Sequence, residues 1–225
     1  MNQDAEAGPK SSQTRNPLIW DWPLRIWHWL IAICAFTALL TGLFQDWNAM
    51  TIHRWAGIAV VALLGFRLLW GIWGGTYSRF RHYWTTPKQV ISHFRGNLEP
   101  QPHTPPGIAL AICMMIAIGV QSVAGLFTTD DVFIEGPFVR HVPDEVVEVA
   151  SDLHHQVWWV VISLVAIHLV AHAIYGGILR SSIPLSMFTG RKPVTAEPTE
   201  YSLVRALFTF GIAIAGFYVI LQYLR

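Results

Sequence analysis

The chain has 225 residues, 53% of them apolar and only 13% charged, with a formal net charge of +1. Soluble domains carry about a quarter charged residues and can seldom hide so much apolar surface, so the composition points to a membrane protein. A balanced charge gives no support for nucleic acid or for strongly acidic partners. Cys34 and Cys113 lie in apolar segments and no CxxC or CxxCH occurs, which removes zinc-ribbon, thioredoxin and c-type haem attachment readings together.

Residues 1–17 form a polar, cytoplasmic tail without the apolar core and cleavage site of a secretory leader. Five apolar stretches follow, over 24–44, 51–74, 106–128, 152–176 and 202–222, each near the roughly 20 residues that cross a bilayer. Lipid offers no partners to open backbone, so each span is expected to be helical. The fold expected is all-α: an integral membrane four-helix bundle with an additional fifth, C-terminal helix. That fifth stretch carries Arg205 near its start and no histidine, so lying along the interface is its alternative. Three regions result: the tail 1–17, a transmembrane bundle over 18–193, and a linker with the fifth helix over 194–225.

The connections set the orientation. Residues 75–105 carry Arg79, Arg81, Lys88 and Arg95, and residues 177–201 carry Arg180, Arg191 and Lys192. Residues 129–151 hold Asp130, Asp131, Glu135, Asp144, Glu145 and Glu148 against Arg140. Lys and Arg gather on the cytoplasmic side, which places the N-terminus inside and 129–151 outside. Trp20, Trp22, Trp27 and Trp29, and Trp70 and Trp73, read as interfacial belts.

Ionisable residues inside spans are costly and mark function. His154 and His168 lie fourteen residues apart in one apolar stretch, on one helix face and about 21 Å apart in depth. With the topology above, His53 shares the outer level with His154, and His28 shares the inner level with His168. Two opposed histidine pairs suit two six-coordinate b haems, with imidazole on both faces of each iron. His155 must point about 100° away from His154, and His172 lies one turn past His168; each is the alternative to its neighbour. His82, His93, His103 and His141 fall in connections, where a solvated or structural role is expected. Zinc ligands would converge on one depth and often include carboxylates, and the span interiors contain neither feature.

Haem propionates need cationic partners. Arg67 falls fourteen residues after His53, at the inner level, where a charge is expensive unless paired. Arg25, one turn before His28, and Arg54, beside His53, are similarly placed, and snorkelling to headgroups explains them equally well. Gly42, Ala56, Gly57, Gly65, Gly119 and Gly125 either permit close helix approach or leave room for a flat macrocycle, and their spacing fits both.

Several stretches together resemble the bacterial cytochrome b561 and nickel–iron hydrogenase cytochrome b family. They are Trp20-Asp21-Trp22-Pro23-Leu24-Arg25-Ile26-Trp27-His28-Trp29, Ile52-His53-Arg54-Trp55-Ala56-Gly57, and Phe66-Arg67-Leu68-Leu69-Trp70-Gly71. Leu153-His154 through His168 is similar to the family's ligand-bearing fourth helix, and Met187-Phe188-Thr189-Gly190-Arg191-Lys192 to its cytoplasmic exit. His103-Thr104-Pro105-Pro106-Gly107 resembles a variant of the family's His-Asn-Pro-Leu-Gly, altered at Asn. The segment after residue 200 adds to the pattern.

The resemblance implies axial ligation by His28, His53, His154 and His168, two b haems, and a multi-pass protein of the bacterial inner membrane. It also implies the electron-transfer subunit of an oxidoreductase system, working between membrane quinone and a periplasmic redox partner, either a cytochrome c or a hydrogenase-like iron–sulfur subunit. Some relatives act alone as superoxide:quinone oxidoreductases, and that is the alternative. The acidic outer connection counts against an anionic substrate, with Arg54 and Arg140 as local exceptions.

Overall fold

Asp21 starts the first helix: its Oδ1 accepts the Leu24 N–H at 2.8 Å, and Pro23, which needs no donor there, occupies the first turn. The computed structural model describes residues 16–44, 47–98, 101–129 and 134–223. The tail residues 1–15 and the acids Asp130 and Asp131 lie outside the described residues. Five long helices result: α1 (Trp22–Thr41), α2 (Trp47–Trp73), α4 (Pro105–Gly125), α5 (Asp144–Ala173) and α7 (Leu203–Gln222). Two short ones sit in the connections, α3 (Pro87–Phe94) and α6 (Ser186–Thr189). All five long helices are long and apolar enough to cross a membrane, and the described residues form a helical bundle with no extended strand.

Local chemistry sets the remaining ends. Pro105 and Pro106 open α4, and Asp144 and Glu145 fill the first turn of α5, where carboxylates suit the helix dipole. A π-helical turn, Ile174–Ile178, continues α5. Gly190 ends α6 with φ of +77°, a left-handed conformation that favours glycine, and its carbonyl accepts the N–H groups of Ile19 and Trp20.

α2 is the hub, packing against α1, α4 and α7, while α4 pairs with α5. The tightest core sits at one end, where Ile19, Trp20, Leu24, Phe66, Trp70, Val194 and Ala206 are buried together. The outward faces stay apolar, as lipid allows; Phe36 on α1 is 67% exposed. The fifth helix crosses the whole bundle. Phe210 stacks on Phe66 at 4.2 Å, Trp73 donates to Thr209 at 3.0 Å, and Tyr223 lies 5.0 Å from Phe138 at the far end. The interfacial alternative for this segment does not hold, because α2 and the connection before α5 both receive it.

Candidate functional site

Two histidine pairs stand inside the bundle. His53 on α2 faces His154 on α5 with ring centroids 6.0 Å apart, and His28 on α1 faces His168 on α5 at 6.4 Å. Both pairs draw one member from α5, fourteen residues apart along a continuous helix, so their levels differ by about 21 Å. Two metal–imidazole bonds of about 2.0 Å, with about 1.1 Å from each nitrogen to its ring centre, separate centroids by roughly 6.2 Å. Both pairs match that separation. Among the described residues no three His, Cys, Asp or Glu side chains converge on one point, so these are paired sites.

The outer pair is oriented by backbone. His53 Nδ1 lies 2.8 Å from the Ala38 carbonyl on α1, and His154 Nδ1 lies 2.9 Å from the Gln121 carbonyl on α4. A carbonyl can only accept, so a proton on each Nδ1 would satisfy these contacts and leave each Nε2 its lone pair for a metal; the Gln121 amide nitrogen also lies 3.2 Å from His154 Nδ1. The Gln121 side-chain amide also donates to the His154 carbonyl at 3.0 Å. Glycines make room for these rings. A Cβ on Gly42 would come 3.2 Å from His53 Cε1, and one on Gly125 would come 2.8 Å from His154 Cε1. Beside the pair opens a small cleft, partly continuous with the surroundings and lined by His53, Arg54, Gly57, Gly125, His154 and His155. A Cβ on Gly57 would meet nothing within 4 Å.

The inner pair is less enclosed by polar partners. His28 Nδ1 is buried without a hydrogen bond, and the His172 ring stands 4.4 Å from that of His168. His155 turns away from the outer pair, its Nδ1 2.7 Å from the Ser151 carbonyl one turn back.

The arginines singled out in the sequence have different surroundings. Arg67 is 1% exposed; one nitrogen donates to the Ser78 carbonyl at 3.1 Å and the other is buried without a partner. Its guanidinium lies among the rings of Trp27, Phe80 and Tyr83, and Trp27 immediately precedes His28, so Arg67 is at the inner level. Arg54 lines the outer cleft with Nε buried and unpartnered, while another nitrogen reaches the Glu135 carbonyl at 3.4 Å. Arg25 donates to the carbonyls of Met187 and Phe188, which ties α1 to α6.

A second polar cluster at the inner end was not visible in the sequence. Asp21 is fully buried and accepts from Leu24, Trp70 and Ser78. Burial raises its carboxyl above the usual range, against those three donors and the nearby Arg67. Lys192 donates to the Pro102 carbonyl at 2.7 Å, and burial brings its amine down to about 8. His103, between Trp20 and Tyr83, is held down to about 3 by burial and by the neighbouring cations Lys192, His82 and Arg67.

A family model described as prokaryotic cytochrome b561 matches residues 19–190, most of the chain and all four histidines of the two pairs. The chain belongs to the prokaryotic cytochrome b561 family. It is therefore a membrane b-type cytochrome of electron transfer, and haem b is the cofactor that goes with that family. Among curated relatives, it is 29% identical over 86 residues to the probable Ni/Fe-hydrogenase 1 B-type cytochrome subunits of Escherichia coli strain K12 and of Escherichia coli O157:H7. Those matches cover 31% of this chain and 37% of the relatives' length, so the chain aligns with little more than a third of them. Within the cytochrome b561 frame, α7 lies beyond the matched residues, as do the buried Lys192 and Val194.

Proposed function

We propose that this cytochrome relays electrons through two b haems, the outer held by His53 and His154 and the inner by His28 and His168. The relay runs between a periplasmic redox protein and membrane quinone, in the bacterial inner membrane with the N-terminus cytoplasmic. The observation that carries this reading is the pair of matched ring separations, 6.0 and 6.4 Å, on two levels of one bundle.

Haem b with imidazole on both faces supplies one-electron transfer and keeps no open iron position for substrate. The protein's own part is orientation. The Ala38 and Gln121 carbonyls fix the outer tautomers, and Gly42 and Gly125 let those rings approach the neighbouring helices. Arg67 and Arg54, each with a buried unpartnered nitrogen, suit the haem carboxylates of the inner and outer levels. Outside, Glu135, Asp144, Glu145 and Glu148 are exposed, which favours a partner with a basic docking face.

The deciding measurement is the reduced-minus-oxidised spectrum of the purified protein with pyridine haemochrome quantification. Two low-spin b haems per chain are expected; one or none overturns the paired-ligand reading.

One observation favours a second reading, a self-contained superoxide:quinone oxidoreductase. The outer cleft is open and carries the Arg54 cation beside the His53–His154 pair, a setting that would attract a small anion giving up one electron to leave dioxygen. Haem reduction by a superoxide-generating system, abolished by Arg54→Gln with haem content intact, would favour this reading over the relay.

A further inference from the structure

The short helix α3 leaves much of its apolar arc uncovered. At 100° per residue, Val90, Phe94, Pro87 and Ile91 share one arc, and Lys88, Ser92, Gln89 and His93 fill the opposite one. A soluble domain would bury the apolar arc. Here Val90, Ser92 and His93 are half-buried, with His93 Nε2 2.9 Å from the Tyr175 hydroxyl on the π-helical turn, while Lys88 and Gln89 are exposed. The apolar arc looks outward: Phe94 is 72% exposed and Ile91 52%, and Trp84, three residues before the helix, is 81% exposed. The placement is firmly built, because Thr86 and Gln89 form a reciprocal capping box at the start of α3.

This arc lies in the connection between the end of α2 and the start of α4, where both spans leave the membrane. Its flank is cationic. Lys88 and Arg95 are seven residues apart, so they share nearly one azimuth beside Ile91, about 10 Å from each other along the axis. Both are exposed, as is Arg81, and no Asp or Glu occurs from Gly75 to Leu98.

We propose that α3 is a binding site for anionic phospholipid. Acyl chains lie against Trp84, Ile91 and Phe94, and phosphate is held by Lys88 and Arg95 at the rim. An apolar arc bordered by cations fits an amphiphile with an anionic head. Through His93, the same helix clasps the turn that ends α5, so a bound lipid would steady the segment two turns below His168.

The full-length protein would be placed in nanodiscs of phosphatidylcholine mixed with phosphatidylglycerol, released into mild detergent, and its retained lipid counted by native mass spectrometry. The wild type is expected to retain phosphatidylglycerol in preference to phosphatidylcholine. Lys88→Gln with Arg95→Gln should weaken that retention on the order of 20-fold, and Lys88→Arg with Arg95→Lys should restore it. Arg180→Gln, an exposed cation of another connection, should leave it unchanged. Equal retention of both lipids by the wild type, or undiminished retention by the double Gln variant, overturns the proposal. Haem content is read on the same samples, so a failure of the relay reading is seen separately from a failure of the lipid site.

Discussion

Gly125 lies against the ring of His154: a Cβ added there would come 2.8 Å from Cε1 and 3.1 Å from Nδ1. The ring has little room to retreat, because its Nδ1 is held by the Gln121 carbonyl one turn earlier on the same helix α4. Gly125→Ala should therefore displace the outer imidazole and remove one haem of two, while Gly119→Ala, which meets nothing within 4 Å, should remove none. Pyridine haemochrome stoichiometry of the two variants checks this.

The two levels should be separable by single substitutions. His168→Ala is expected to lose the inner haem and keep the outer one. His155→Ala should keep both, since that ring bonds back to Ser151 and not toward His53. Low-temperature difference spectra resolve which haem is absent; equal haem content in His168→Ala would remove that residue from the ligand set.

Asp21 holds the inner end together. Removing its carboxylate strands the Trp70 indole, the Ser78 hydroxyl and the Leu24 N–H. Asp21→Ala should destabilise the fold by about 3–5 kcal/mol, whereas Asp21→Asn, which keeps an acceptor, should cost less. Thermal unfolding in detergent, followed by helical circular dichroism, measures the difference.

His103 should make stability depend on pH. Its folded value, about 3, lies below its ordinary 6.5, so the unfolded chain takes up the proton first as pH falls. The contribution is whole above pH 6.5 and is lost progressively toward pH 3, with a slope of at most about 1.4 kcal/mol per pH unit. His103→Gln should flatten that part of the profile. An unchanged wild-type-minus-variant difference between pH 7 and pH 4.5 would contradict it.

Lipid makes some of this fold readable from composition alone. Twenty apolar residues without backbone partners must be helical, and helical rise converts fourteen residues into one level difference, which is why His28 was expected opposite His168 and His53 opposite His154. The start of α5 was less legible. It begins at Asp144, well before the apolar stretch from 152, because acidic residues there extend the helix beyond the part that lipid selects. The polar partners of the histidines were invisible for a different reason: the Ala38 and Gln121 groups that hold them are main-chain carbonyls, which every residue possesses. Gly42 and Gly125, whose spacing fitted both close helix approach and room for a macrocycle, lie against the imidazole rings. Lys192, in what reads as an exit segment, is 5% exposed, because residues 191–199 fold back along Leu18 and the chain before α1.

The stagger along α5 has an electrical meaning. A level difference of about 21 Å is roughly two-thirds of a 30 Å hydrocarbon core. An electron passed from one histidine pair to the other would cross that fraction of the membrane field with no carboxylate in the span interiors to bring a proton along. A potential of 100 mV would then help or oppose each transfer by about 1.6 kcal/mol, more than tenfold in equilibrium constant. The energised state of the membrane would thus set how far the two ends of this bundle can be out of redox balance.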